Sequence, residues 1–373
     1  MAEAMGTGAR QGDAERGGHA SGAGRIRWIE WMRALGCCAI VFLHVLVSTA
    51  IGMDVSGVRE VAYLVLSCVL CRWAVPGFFM VTGFLLLDPE RDLPVSKLRR
   101  YAGRMACVLL TFGLAFACME EAWVALSAGS PVTPSLLGLA VWDVLTTRTW
   151  DHLWYVYALM GAYVAVPAFR WLRRERGERA FSSVVLALFV LVLVIPTALS
   201  GWRLLVTGVA GNPLEGNPAL VYARNLAVGV TCMGIGGCLD RLVPDGKAVV
   251  AGALSLVAMV SLGLVSMRLS EHDDGSFCLH WSFLPVVYAV TVLLLFRRLM
   301  ADMEPGKVAL GLSRDSFGIY VIHPLYIHIA LMLVDPATVP PVLLELGLTA
   351  AVTLATVATV HLLRRVPLLG GLL

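Results

Sequence analysis

Residues 34–53 read ALGCCAIVFLHVLVSTAIGM, twenty positions with no charged side chain and a single histidine. As an α-helix rising 1.5 Å per residue this stretch is about 30 Å long, the thickness of a bilayer's hydrocarbon core. Working outward, comparable runs recur at 61–87, 102–126, 152–172, 184–204, 220–239, 248–267, 280–296, 312–334 and 341–363. The composition agrees: 58% of the 373 residues are hydrophobic and 15% charged, with a mean hydropathy of +0.78. Soluble domains carry about a quarter charged residues, so an ordinary soluble fold is excluded. The sequence predicts an all-α, polytopic integral membrane protein of about ten transmembrane helices.

Charge placement orients the spans. Lys and Arg cluster before and at Arg33, over 91–104, over 170–179 and over 297–314, whereas the alternate loops hold isolated Arg59, Arg148, Arg203, Arg224 and Arg268. Cytoplasmic loops retain positive charge, so both termini are expected to be cytoplasmic. Residues 1–25, rich in Gly and poor in large apolar side chains, read as a disordered cytoplasmic tail, and 26–373 as one transmembrane domain. The first apolar run is a full span, so no cleavable leader is expected. Most of the nine cysteines lie in or beside apolar runs and suggest no disulfide framework. A net charge of +3 from scattered basic residues gives no reason to expect nucleic acid as a partner, and no spacing typical of metal ligands, no phosphate-binding glycine loop and no Gly-x-Ser-x-Gly elbow is present. Nor is a repeat of about 20–50 residues visible, which argues against inverted-repeat transporters.

Titratable groups inside the spans cost on the order of 3 kcal/mol each and so ask for a reason. His44 falls near the middle of the first span. Arg33 lies eleven residues earlier, and eleven steps of about 100° bring both side chains to one face, about 16 Å apart along the axis. Glu30, one turn before Arg33, is placed to pair with it. Arg72 also falls at mid-depth, where a guanidinium needs an acceptor or a wet cavity. Glu120, Glu121 and Glu345 are the carboxylates within reach of such a pairing; a role in a site is the alternative. His323 is followed by Pro324, which weakens the local backbone ladder. His328, about 140° round the helix from His323, is expected to pack or cap.

In this order the residues resemble the membrane acyltransferase family 3, which includes O-antigen acetylases and surface-polysaccharide O-acyltransferases. The resemblance rests on Arg33 with His44, on Arg72-Trp-Ala-Val-Pro-Gly-Phe-Phe-Met-Val-Thr82-Gly83-Phe84-Leu85, on His152-Leu-Trp-Tyr155 with Pro167, and on Gly318-Ile-Tyr-Val-Ile-His323-Pro324. Thr82 stands where serine is usual. After the second span, where two arginines three apart are common, this chain offers Lys97 with Arg100, or Arg100 with Arg104.

The resemblance implies a multi-pass plasma-membrane enzyme that moves a short acyl group, typically acetyl, from cytoplasmic acyl-CoA to a hydroxyl of a glycan, lipid-linked glycan or other envelope acceptor. It implies catalytic roles for His44, Arg33 and Arg72, with Arg33, Lys97, Arg100 and Arg104 on the CoA donor. Glu120, Trp154, Tyr155 and His323 are then the residues expected at the acceptor. Acyl-CoA enters as a substrate and no metal is expected. The family also includes membrane modules fused to racemases, so small-molecule or amino-acid transport is the alternative function.

Overall fold

The computed structural model describes residues 25–52, 57–146, 149–208, 217–269, 276–334 and 339–373. The predicted tail therefore lies outside the described residues apart from Arg25. Those that are described form helices and no strand. In chain order the helices are α1 (Arg27–Gly52), α2 (Val58–Leu66), α3 (Ala74–Leu86), α4 (Val95–Val108), α5 (Leu114–Ser127), α6 (Ser135–Leu145), α7 (Trp154–Glu175), α8 (Gly177–Phe189), α9 (Ile195–Thr207), α10 (Pro218–Cys238), α11 (Gly246–Leu269), α12 (Phe283–Leu299), α13 (Lys307–Leu333), α14 (Pro341–Leu363) and a final turn, α15 (Pro367–Gly370).

Three of the apolar runs are crossed without interruption because π-helical turns splice their halves: Ser67–Cys71 between α2 and α3, Leu109–Gly113 between α4 and α5, and Val190–Val194 between α8 and α9. With these joined, nine helices among the described residues are long and apolar enough to cross a membrane. The remaining predicted span, 280–296, is realised as α12, a helix of 17 residues. The protein is thus an all-α, polytopic membrane protein. One element lay beyond the sequence reading: the short apolar helix α6, between the third and fourth spans.

Packing is centred on α1, which lies along α13 and is flanked by α3, α12 and α14. The helix pair α3 and α10 is drawn together by glycine. A Cβ on Gly83 would sit 1.8 Å from the Met233 carbonyl oxygen, and one on Gly236 would sit 1.9 Å from that of Met80. Small residues that let two backbones approach this closely are how helices associate in lipid, where no hydrophobic force separates one apolar face from another. Around this centre the spans Gly177–Thr207, α11 and α14 are mostly unburied, as helices facing lipid are.

On the side where α3 ends, α7 clamps the following loop. Arg170, almost wholly buried, donates to the carbonyls of Leu86 (2.9 Å), Asp88 (2.5 Å) and Arg91 (2.5 Å), and Arg173 donates to Leu87 (2.8 Å). The basic cluster read from the sequence as topological is therefore also structural.

Candidate active site

The face of α1 predicted to carry Arg33 and His44 does carry both, and each opens on a different chamber. The first encloses about 180 Å³ and is lined by Arg33, Cys37 and Ile40 of α1, by Val75, Phe78, Thr82 and Leu85 of α3, and by Tyr155, Ser316 and Tyr320. Its walls are largely apolar, with Arg33 as its charged group. Arg33 Nη2 donates to Ser316 Oγ at 3.2 Å, which in turn donates to the Ser313 carbonyl at 2.8 Å. Glu30 accepts from the Ser313 hydroxyl. The expected Glu30–Arg33 pair is absent among the described residues, because α13 supplies hydroxyls to both partners.

The second chamber encloses about 400 Å³, and its lining includes His44, Glu120, Asp143, Trp150, His152 and His328. One turn of α1, about 6 Å, separates Ile40 of the first chamber from His44 of the second.

Between the two stands a wall of rings. His323, 0% exposed, meets His44 edge to face with centroids 4.9 Å apart, and His152 lies 5.7 Å from His323. The Tyr320 hydroxyl donates to the His152 carbonyl, and His152 Nε2 donates to the Val321 carbonyl at 3.2 Å. Pro324 cannot close the usual bond to the carbonyl one turn back, which loosens α13 beside these rings.

The hydrogen bonds assign the tautomers. His44 Nδ1 lies 2.9 Å from the Ile40 carbonyl, and His323 Nδ1 lies 3.0 Å from the Ile319 carbonyl. Carbonyls only accept, so each Nδ1 carries the proton. His323 Nε2, 3.2 Å from His44 Nδ1, is then an acceptor. The His44 proton is shared between Ile40 and His323, and His44 Nε2 keeps a free lone pair. A neutral imidazole held in one orientation with one unprotonated nitrogen has the form of a general base.

Arg72 follows the π turn Ser67–Cys71, its backbone N–H reaching the Ser67 carbonyl at 3.0 Å. None of the carboxylates considered for it takes up the role. Glu345 accepts from Thr49 Oγ1 at 2.9 Å and from the Tyr63 hydroxyl, and Glu120 accepts from Trp150 Nε1 at 3.2 Å. Among the described residues, Arg72 Nε is buried without a hydrogen-bond partner.

The remaining predicted residues divide. Arg104 sits 5.4 Å over the ring of Phe317, which lines the first chamber, and donates to the carbonyls of Leu372 (3.1 Å) and Leu373 (3.2 Å). Lys97 and Arg100 are exposed on α4 and line neither chamber. Glu120 lines the second chamber. Tyr155 lines the first chamber beside Arg33, while Trp154 stacks on His280 with centroids 4.0 Å apart. His323 touches His44 and lines neither chamber. His328, expected to pack away from the site, lies against Trp150 at 4.8 Å and lines the second chamber.

A family model described as an acyltransferase domain matches residues 26–361. The chain belongs to this acyltransferase family. Searches of curated proteins and of solved structures returned no match. Membership supports membrane acyltransferase activity in general, and the stretches singled out in the sequence take on distinct physical tasks. Thr82 lines the first chamber, whereas Gly83 beside it sets the approach of α3 to α10. His152, named only as part of a motif, closes the ring wall. Asp143, Trp150 and Asp151 of the second chamber carried no sequence signal, since polar residues near the end of a span are ordinary.

Proposed function

We propose that the protein is a plasma-membrane O-acyltransferase, with both termini cytoplasmic, that takes a short acyl group, typically acetyl, from acyl-CoA in the first chamber to a hydroxyl of a glycan or related envelope acceptor in the second. The observation that carries this reading is the position of His44: it lines the second chamber one helical turn from Ile40 of the first, with Nδ1 hydrogen-bonded to the Ile40 carbonyl. The narrow, apolar first chamber suits an extended acyl-pantetheine arm. Arg33, with Arg104 nearby, suits the phosphates at the cytoplasmic end, where guanidinium groups bind oxyanions through several N–H bonds at once.

In the proposed reaction His44 Nε2 takes the proton of the acceptor hydroxyl as its oxygen attacks the thioester carbonyl. The tetrahedral oxyanion that forms is stabilised by Arg72, whose guanidinium has no protein carboxylate to satisfy first. Collapse breaks the C–S bond, and the departing CoA thiolate takes the proton back from the His44 imidazolium. His323 keeps His44 in the working tautomer throughout.

The test is thiol release from acyl-CoA by purified protein in detergent with candidate glycans. His44→Gln and His44→Ala are expected to fold, to keep CoA affinity by calorimetry and to lose about 100-fold or more of turnover, the usual worth of a positioned base. Glutamine can still hydrogen-bond a neighbouring helix, so a merely structural histidine would tolerate it. Near-normal turnover in His44→Gln sinks the assignment. Uptake of a small molecule into proteoliposomes without consumption of acyl-CoA would establish the transport reading instead.

A further inference from the structure

The two chambers differ in charge as well as in place. Three carboxylates, Glu120, Asp143 and Asp151, line the second, and among the described residues no Lys or Arg lines it. Glu121, next to Glu120 on α5, adds a fourth carboxyl group. No ion pair to any of these four occurs among the described residues; the polar partner of Glu120 is the uncharged indole N–H of Trp150.

A second, independent feature marks the place as built for a ligand. Thr149 is 7% exposed, lines this chamber, and its hydroxyl has no hydrogen-bond partner among the described residues. A buried hydroxyl left unpaired costs free energy that a polar guest recovers. The indole of Trp150 forms a flat platform beside it, stacked on Phe116 at 4.4 Å with the rings 2° from parallel.

Resting on the acyl-transfer reading above, we infer that the acceptor held in the second chamber is an amine-bearing polyol of the amino-sugar class. Its ammonium sits among Glu120, Asp143 and Asp151, one of its hydroxyls bonds Thr149 Oγ1, and its ring lies on Trp150. An acidic glycan is disfavoured, because its carboxylate would face three carboxylates that form no ion pair among the described residues. The chemistry also fixes where the acyl group goes. Carboxylates hold the amine as ammonium, which has no lone pair to attack a thioester, so the nucleophile is the hydroxyl whose proton His44 removes. The product is an ester, and it forms without an N-acyl side product.

The experiment uses the full chain in detergent and the methyl glycosides of glucosamine, glucose and glucuronic acid. Their binding is measured on His44→Gln by calorimetry, and their acylation on the unaltered protein by thiol release from acetyl-CoA. The glucosamine glycoside is expected to bind at least tenfold more tightly than the glucuronide, with the glucoside between them, and its product to be cleaved by hydroxylamine as esters are. In Glu120→Gln/Asp143→Asn the ratio of amine to acid affinity is expected to fall to near one. Equal or tighter binding of the glucuronide, binding of none of the three, or an amide product overturns the inference while leaving acyl transfer intact. Absence of acetyl-CoA consumption with every acceptor, alongside preferred binding of the amine, overturns the reaction and leaves the charge preference standing.

Discussion

Arg72 and Arg170 carry the same guanidinium into the interior of the protein and meet opposite circumstances. Arg170 finds the carbonyls of Leu86, Asp88 and Arg91 waiting for its donors. Among the described residues Arg72 has no carboxylate partner, and its Nε is buried without a hydrogen bond. The contrast separates two reasons for placing a charge inside a membrane protein. A guanidinium whose donors are spent on backbone fixes a loop. One whose donors are unspent is free to meet charge that appears during a reaction.

That distinction can be broken most directly at Arg170. Arg170→Leu strips three partly buried loop carbonyls of their donor and removes the clamp that α7 places on the loop. Loss of monodisperse protein is expected, read by size exclusion in detergent and by thermal unfolding, with Arg170→Lys recovering part of it. Arg72→Leu should do the reverse. Its unfolding temperature is expected to hold or rise, since an unpaired charge has been removed, while acyl-CoA turnover falls by about 100- to 1,000-fold as for other oxyanion donors. Parallel collapse of both variants would erase the contrast.

Two smaller effects sharpen it. His323→Leu removes one of the two acceptors of the His44 Nδ1 proton, and turnover is expected to drop by about tenfold to 100-fold with CoA affinity unchanged. His323→Gln, which restores an acceptor oxygen, should recover most of that loss. The smallest effect belongs to His328→Gln, a few-fold rise in acceptor KM with kcat nearly unchanged, because the ring flanks Trp150 in the second chamber and touches no reacting atom. A change in kcat alone would place His328 nearer the chemistry.

What the sequence made legible follows from the range of each force. Helices in lipid must bond their own backbones, so an apolar run of sufficient length is already a helix, and every predicted span is helical here. The shared face of Arg33 and His44 was legible for the same reason, being a matter of angle within one helix. The meeting of His44 with His323 was not, since it depends on how α1 and α13 are placed and no periodicity records that. For Tyr155, depth along the span is readable but direction around it is not, and the ring lies beside Arg33 in the first chamber. Helix α6, with Asp143, escaped because a run of eleven residues is too short to be read as a span.

The π turn at Ser67–Cys71 has a consequence for how this protein tolerates change. A π turn holds one residue more than an α turn, so everything beyond it is rotated by about 100° relative to an unbroken helix. Upstream, α2 aims Tyr63 at Glu345; downstream, α3 presents Val75, Phe78, Thr82 and Leu85 to the first chamber. The direction of Arg72 is therefore encoded in a residue count, and substitutions within the segment leave that count intact. Deleting a single position there would straighten the helix and swing Arg72 and the whole chamber wall to another face, with composition and hydropathy almost untouched.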